Sequence, residues 1–149
     1  MLETLANWQE IGKDLQQVGL AYLLTAIIGW DRETEEHSTG VRTFPIVGMA
    51  SCGYLLALGP QPDAASQSRV LQGLITGIGF VGGGAILKEG TTVRGTATAA
   101  SIWNAGVIGA SVAMGRYEIA VVLAALNLFT LRALLPIKAW LDKKRDSRS

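Results

Sequence analysis

From Ser68 to Gly95 the chain runs S-R-V-L-Q-G-L-I-T-G-I-G-F-V-G-G-G-A-I-L-K-E-G-T-T-V-R-G, eight glycines in 28 residues with no charge between Arg69 and Lys88. Glycine loops that cradle phosphate are short and polar around their glycines. Here the glycines sit among Leu, Ile, Phe and Val, over a length sufficient to cross a bilayer. Gly73 and Gly77 are four apart, as are Gly79 and Gly83, a helical spacing that bares backbone on one face for a close neighbour. In water each glycine would cost a helix about 1 kcal/mol relative to alanine. In lipid an unpaired backbone costs more, so the helix persists and the glycines serve packing. The stretch therefore predicts a transmembrane helix packed among others.

Four more apolar stretches place that helix in an all-α membrane bundle of five spans. They cover about residues 15–30, 44–59, 69–87, 97–115 and 117–135, against the roughly 20 apolar residues a span needs. The second and fourth are diluted by Gly, Ala, Ser and Thr, and their alternative is a re-entrant helix covered by protein. Ala97, Ser101, Ala105, Gly109 and Ala113 recur every four residues in the fourth stretch. This small-residue stripe is the expected partner of the glycine-rich helix. A short link, Lys88 to Thr96, makes the two antiparallel neighbours. Residues 1–14 carry Leu2, Leu5, Trp8 and Ile11 and read as an interfacial segment or an extension of the first helix. Glu3, Glu10 and Asp14 with no basic leader argue against a cleaved signal peptide. Residues 136–149 mix Ile137, Trp140 and Leu141 with Lys138, Lys143, Lys144 and Arg145, a basic amphipathic tail at the membrane surface.

Five spans divide the 13 lysines and arginines ten to three. The first loop, the third loop and the tail hold the larger share, while Lys13, Arg69 and Arg116 lie on the other side. The positive-inside rule then sets the C-terminus in the cytoplasm and the N-terminus outside. A net charge of +1 gives no basic face for nucleic acid. The single cysteine, Cys52, excludes an internal disulfide and a cysteine zinc site.

The polar residues worth attention flank the spans. Asp31, Arg32 and Glu33 sit where the first helix leaves the membrane, and Arg42 and Thr43 where the second enters. Arg94 and Glu89 lie in the third loop on the same side. Arg42 and Arg94 are candidates to pair with Asp31, Glu33 or Glu89, against the plainer reading of solvated flanking charges. Asp31, Glu33, Glu35 and Glu36 offer oxygen to a hard cation but lack a fixed ligand spacing, and His37 stands alone. No metal or cofactor is expected. Within the spans Gln16, Gln17, Gln72, Thr76, Thr98, Ser101, Asn104 and Asn127 are polar, and no acid lies near a midpoint, which counts against a cation pump. Asn104 is read first as an interhelical hydrogen bond, and Arg132 as a snorkelling cation. There is no Ser/His/Asp set, acid pair or nucleotide motif, so an enzyme is not expected.

The pieces G-W-D-R-E at Gly29–Glu33, G-V-R-T at Gly40–Thr43 and G-I-G-F-V-G-G-G-A-I-L at Gly77–Leu87 follow in order with V-R-G-T-A-T-A-A-S-I-W at Val93–Trp103 and I-G-A-S-V-A-M-G at Ile108–Gly115. On these the chain resembles the MgtC/SapB family of bacterial inner-membrane proteins. The resemblance implies five helices with a cytoplasmic C-terminus, Gly77 to Leu87 at the centre of the domain, and a non-enzymatic regulatory role. In the family that role covers adaptation to low magnesium, virulence and inhibition of the F-type ATP synthase. It implies as partners, beside the lipid bilayer, ATP synthase membrane subunits or a small membrane peptide, while the small-residue faces, more than one antiparallel pair consumes, leave a homodimer open. Longer members carry a cytoplasmic C-terminal domain, which is not expected here. The alternative reading is a small-ion (magnesium) transporter or channel with Asn104, Thr98 and Thr76 along the path. A purely structural membrane component is the third.

Overall fold

The computed structural model describes residues 2–33, 40–90, 92–137, 140 and 144, with side chains from Trp8 onward. Glu35, Glu36 and His37 lie outside the described residues, as do Lys138, Lys143 and Arg145 of the tail. Five helices form: α1 (Leu2–Glu33), α2 (Thr43–Leu56), α3 (Ala64–Gly84), α4 (Thr96–Ala113) and α5 (Tyr117–Ala133). The leader is not a separate element, because α1 runs unbroken for 32 residues, about 48 Å at 1.5 Å per residue. Thr25, fully buried in its C-terminal half, satisfies its hydroxyl by donating to Ala21 O at 2.7 Å. Asp63 starts α3 earlier than the apolar pattern suggests, its carboxylate accepting from Ser66 N at 2.9 Å.

The link between α3 and α4 is more than a loop. It forms a two-stranded antiparallel hairpin, β1 (Leu87–Glu89) with β2 (Thr92–Arg94), in the register Leu87↔Arg94, Lys88↔Val93 and Glu89↔Thr92. Gly95 then turns into α4 at φ +83, with the carbonyl of Ala85 where a side chain would start. Only glycine suits both demands.

The helix at the centre is α4, not the glycine-rich α3. It touches each of the other four helices, most extensively α2, and buries Ser101, Ile102, Ala105, Gly106 and Ile108 through Val112. Its closest approach is to α2, where a Cβ at Gly109 would fall on the carbonyl oxygen of Gly48. Behind that seam Thr25 of α1 leaves no room for a side chain on Gly48, whose added Cβ would meet its Oγ1 and Cγ2 at 2.6 Å. Phe44, Cys52, Ile28, Ile102, Ile108 and Val112 fill the core around it.

α3 does pack on α4, but not through the expected glycines. Gly82 lies 3.2 Å (as an added Cβ) from Ala99 O, and Ile78 fills the space over Gly106. Among the described residues, an added Cβ at Gly73, Gly77, Gly79 or Gly83 would meet nothing within 4 Å. The stripe on α4 is also divided. Ser101 serves α5 and Gly109 serves α2, while Ala97 is exposed and Ala113 half-buried. The reason is geometric. Four residues advance a helix by about 400°, so each step drifts about 40° and the five-residue stripe winds about 160° around the axis. It cannot face one partner along its whole length.

Much of the outer surface is apolar. Leu15 is 72% exposed, Trp30 69%, Phe80 86% and Phe129 65%, and each of the five helices carries exposed large hydrophobic residues. Among the described residues one helix, over Tyr117–Ile137, is long and apolar enough to cross a membrane, and Thr43–Leu56 is apolar but shorter.

Candidate functional site

The loop and helix-end charges converge where α1 and α5 finish. Arg132, in the last turn of α5, donates from Nε to Asp31 Oδ1 at 2.7 Å. Arg32 donates from Nη2 to Asp31 Oδ2 at 3.2 Å. The Asp31 and Arg32 side chains are 10% and 7% exposed, whereas that of Arg132 is 73% exposed. One carboxylate is thus shared by a sealed guanidinium and an open one. The charge-assisted bonds tie the ends of α1 and α5 together.

The G-V-R-T turn is stapled to the same place. Glu33 accepts from Val41 N at 3.0 Å through Oε2. The backbones of Gly29 and Gly40 approach so closely that a Cβ on Gly29 would stand 2.7 Å from Gly40 O. Arg42 is the residue before α2 and makes no side-chain cap, Thr43 opens that helix, and Arg94 is exposed on β2. Among the described residues neither Arg42 nor Arg94 forms an ion pair. Among the described residues, the cation that reaches Asp31 from another helix is Arg132, expected only to snorkel. Sequence separation hides this contact, since 101 residues lie between the two.

Asn104 lies well away from this cluster. Its Nδ2 donates to Leu123 O at 3.2 Å, and Ser101 Oγ donates to Asn127 Oδ1 at 2.9 Å, so both bonds join α4 to α5. Gln17 of α1 donates through Nε2 to Val112 O at 2.9 Å, closing one of the carbonyls at the end of α4. The site can therefore fix helix ends and hold charge at one end of the bundle. The described residues contain no group of three or more His, Cys, Asp or Glu able to hold a metal.

The second candidate surface is the open face of α3. Gly73 and Gly77 border a cleft of about 550 Å³ between α2 and α3, walled by Ile46, Ala50, Tyr54, Val70, Leu74 and Val81. On the far side of the helix, Gly82 faces α4. A bare, flat backbone with an apolar cleft beside it is the geometry into which a further helix can settle closely.

The family model described as the MgtC family matches residues 18–140. An uncharacterized protein of Synechocystis is 29% identical over 136 residues, covering 91% of this chain and 57% of its own. Protein MgtC of Salmonella typhi is 31% identical over 134 residues, with 83% and 57% covered. Protein MgtC of Brucella abortus is 30% identical over 128 residues, with 86% and 53% covered. The chain spans a little over half the length of these curated relatives. No solved structure matches it.

Proposed function

The chain belongs to the MgtC family, and from that premise we propose a non-enzymatic, multi-pass protein of the bacterial inner membrane that regulates its partners through helix–helix contacts. The observation that carries this reading is the open surface of α3, where an added Cβ at Gly73, Gly77, Gly79 or Gly83 would meet nothing within 4 Å among the described residues. Glycines are costly inside a helix, and among the described residues no atom stands where their side chains would start. A helix from another subunit, of this chain or of a membrane complex, is what such a face accommodates in lipid. The resemblance directs the choice of partner to the F-type ATP synthase and the physiological setting to low magnesium. The Asp31–Arg132 pair holds the opposite edge of the bundle in register while that contact forms.

Co-purification from native membranes tests the reading. The chain should carry a membrane partner with it, and Gly73→Ile with Gly77→Ile should release the partner while leaving the isolated chain folded. Recovery of the chain alone, with ATP synthase activity in the membranes unchanged by its absence, would sink the regulator. A saturable magnesium flux in liposomes containing only this chain would replace it with the transporter.

A further inference from the structure

Around α4 the other helices form an incomplete ring. α5 meets α1, α1 meets α2 and α2 meets α3, but among the described residues the circle stays open between α3 and α5. The gap uncovers Trp103 and Val107 of α4, 52% and 45% exposed. At its α5 edge lies a hollow of about 290 Å³, bordered by Ala97, Ala100, Ser101 and Asn104 of α4 and by Leu126 and Thr130 of α5. Its polar groups are turned inward. Ser101 Oγ donates to Asn127 Oδ1, Asn104 Nδ2 to Leu123 O and Thr130 Oγ1 to Leu126 O. The hollow therefore offers chiefly carbon surface. One buried donor beside it, Asn127 Nδ2, finds no acceptor among the described residues.

α3 carries a projection of matching chemistry. Ile78 and Gly82 meet α4, while Gly73, Gly77 and Val81 border the cleft towards α2. At about 100° per residue, Gln72, Thr76, Gly79 and Gly83 then fall roughly 60–120° from Gly82 on the side away from α2, which is the side of the gap. Phe80 lies about 160° from Gly82 in the same sense and so points away from its own α4. It is 86% exposed. Gln72 sits in the interior of α3, and its amide makes no hydrogen bond among the described residues. An amide left unpaired in lipid is costly.

We propose that α3 seats in the corresponding gap of a second copy of this chain, with Phe80 filling the hollow between the partner's α4 and α5. The proposal rests on the membrane reading above and names the partner of the α3 surface. Copies that cross a membrane the same way up are related by a two-fold axis along its normal, so groups that touch must lie at one depth. Phe80 and the hollow meet that condition. Gly82 abuts Ala99 O, and Phe80, two residues or about 3 Å before it on the antiparallel helix, is level with Ser101 in the hollow. The ring gives its apolar area to Ala97, Ala100 and Leu126, and its π face is an acceptor for the Asn127 amide. At the axis the two Gln72 amides, each both donor and acceptor, pair with one another. An acyl chain would cover the hollow but leave Gln72 unpaired.

Oxidative cross-linking in native membranes and sedimentation equilibrium of the full chain in detergent test the dimer. Gly79→Cys should give a disulfide-linked dimer. Gly77→Cys, at the cleft, and Phe129→Cys, on α5 at a position 65% exposed, should not. The native Cys52 is fully buried and stays silent. Phe80→Ala should weaken dimerisation at least tenfold and leave the melting temperature of the monomer unchanged, and Ala100→Trp, which fills the hollow, should weaken it as well. A monomer at every concentration, equal cross-linking at all three cysteines, or a Phe80→Ala dimer as tight as the parent would overturn the proposal. A monomer that still co-purifies with another membrane protein would sink the dimer and leave the regulator standing. A dimer that brings nothing else with it would uphold the dimer and count against the regulator.

Discussion

At Gly109 a methyl group has nowhere to go, because the carbonyl of Gly48 occupies the position and backbone cannot swing aside. Gly109→Ala is expected to cost about 3 kcal/mol in unfolding experiments in detergent, the upper end of ordinary overpacking. Gly77→Ala meets open space and, as an alanine in a helix interior, should be neutral or raise stability by up to about 1 kcal/mol. Equal losses at the two sites would contradict the packing described. Asp63 gives a pH-dependent case. Hydrogen bonds from the Ser66 side chain and backbone hold its carboxyl below the ordinary value of 3.8. A depressed folded pKa means the capping contribution is complete above the unfolded pKa and is lost as pH falls through the folded one. The melting temperature of Asp63→Ala should therefore lie below that of the parent at pH 7, and the gap should close on acidification below about 3.8. The cap is visible in the string D-A-A-S. The clash at Gly109 is not, since nothing in one helix names the glycine that faces it in another.

Elements show the same division between local and distant information. The starts of the helices follow from short-range chemistry, as with Asp63 and with Pro45 in the first turn of α2. The hairpin between α3 and α4 was hidden because each strand has three residues, too few for an alternating pattern to emerge. Asp31 joins two elements, and its removal should be felt at both. Asp31→Ala leaves Arg32 buried without its 3.2 Å carboxylate partner and is expected to cost about 3 kcal/mol, as for a broken buried pair. Arg132→Ala removes a side chain 73% exposed, and solvent screening should keep its cost below about 1 kcal/mol. Urea or thermal unfolding of the two variants in one detergent distinguishes them. A larger loss for Arg132 than for Asp31 would show that the inter-helix bond, not the buried charge, governs this end of the bundle.

Across the whole molecule, the helix long and apolar enough to cross a membrane is not the one at the centre of the bundle. α4 is enclosed by four neighbours, and small residues are what allow them near. Those residues keep its side chains short, and among the described residues the helix long and apolar enough to cross a membrane is the less enclosed Tyr117–Ile137. α2, at 14 residues or about 21 Å, is short against a hydrocarbon core of about 30 Å, but α1 and α4 cover it and bury Phe44, Cys52 and Leu55. The five-span proposal is therefore compatible with a single strong hydropathy signal: lipid contact demands apolar side chains, and burial among helices demands small ones. The lone Cys52 is fully buried, which leaves a quiet background for introduced thiols. With five spans, cysteines at Gln61 and Arg116 should react with an impermeant maleimide in intact cells. Glu89→Cys in the hairpin should react only after the membrane is opened. Labelling of Glu89→Cys and Arg116→Cys from the same side would show that α4 does not cross, and the bundle would then have to rest against one leaflet with α4 re-entrant.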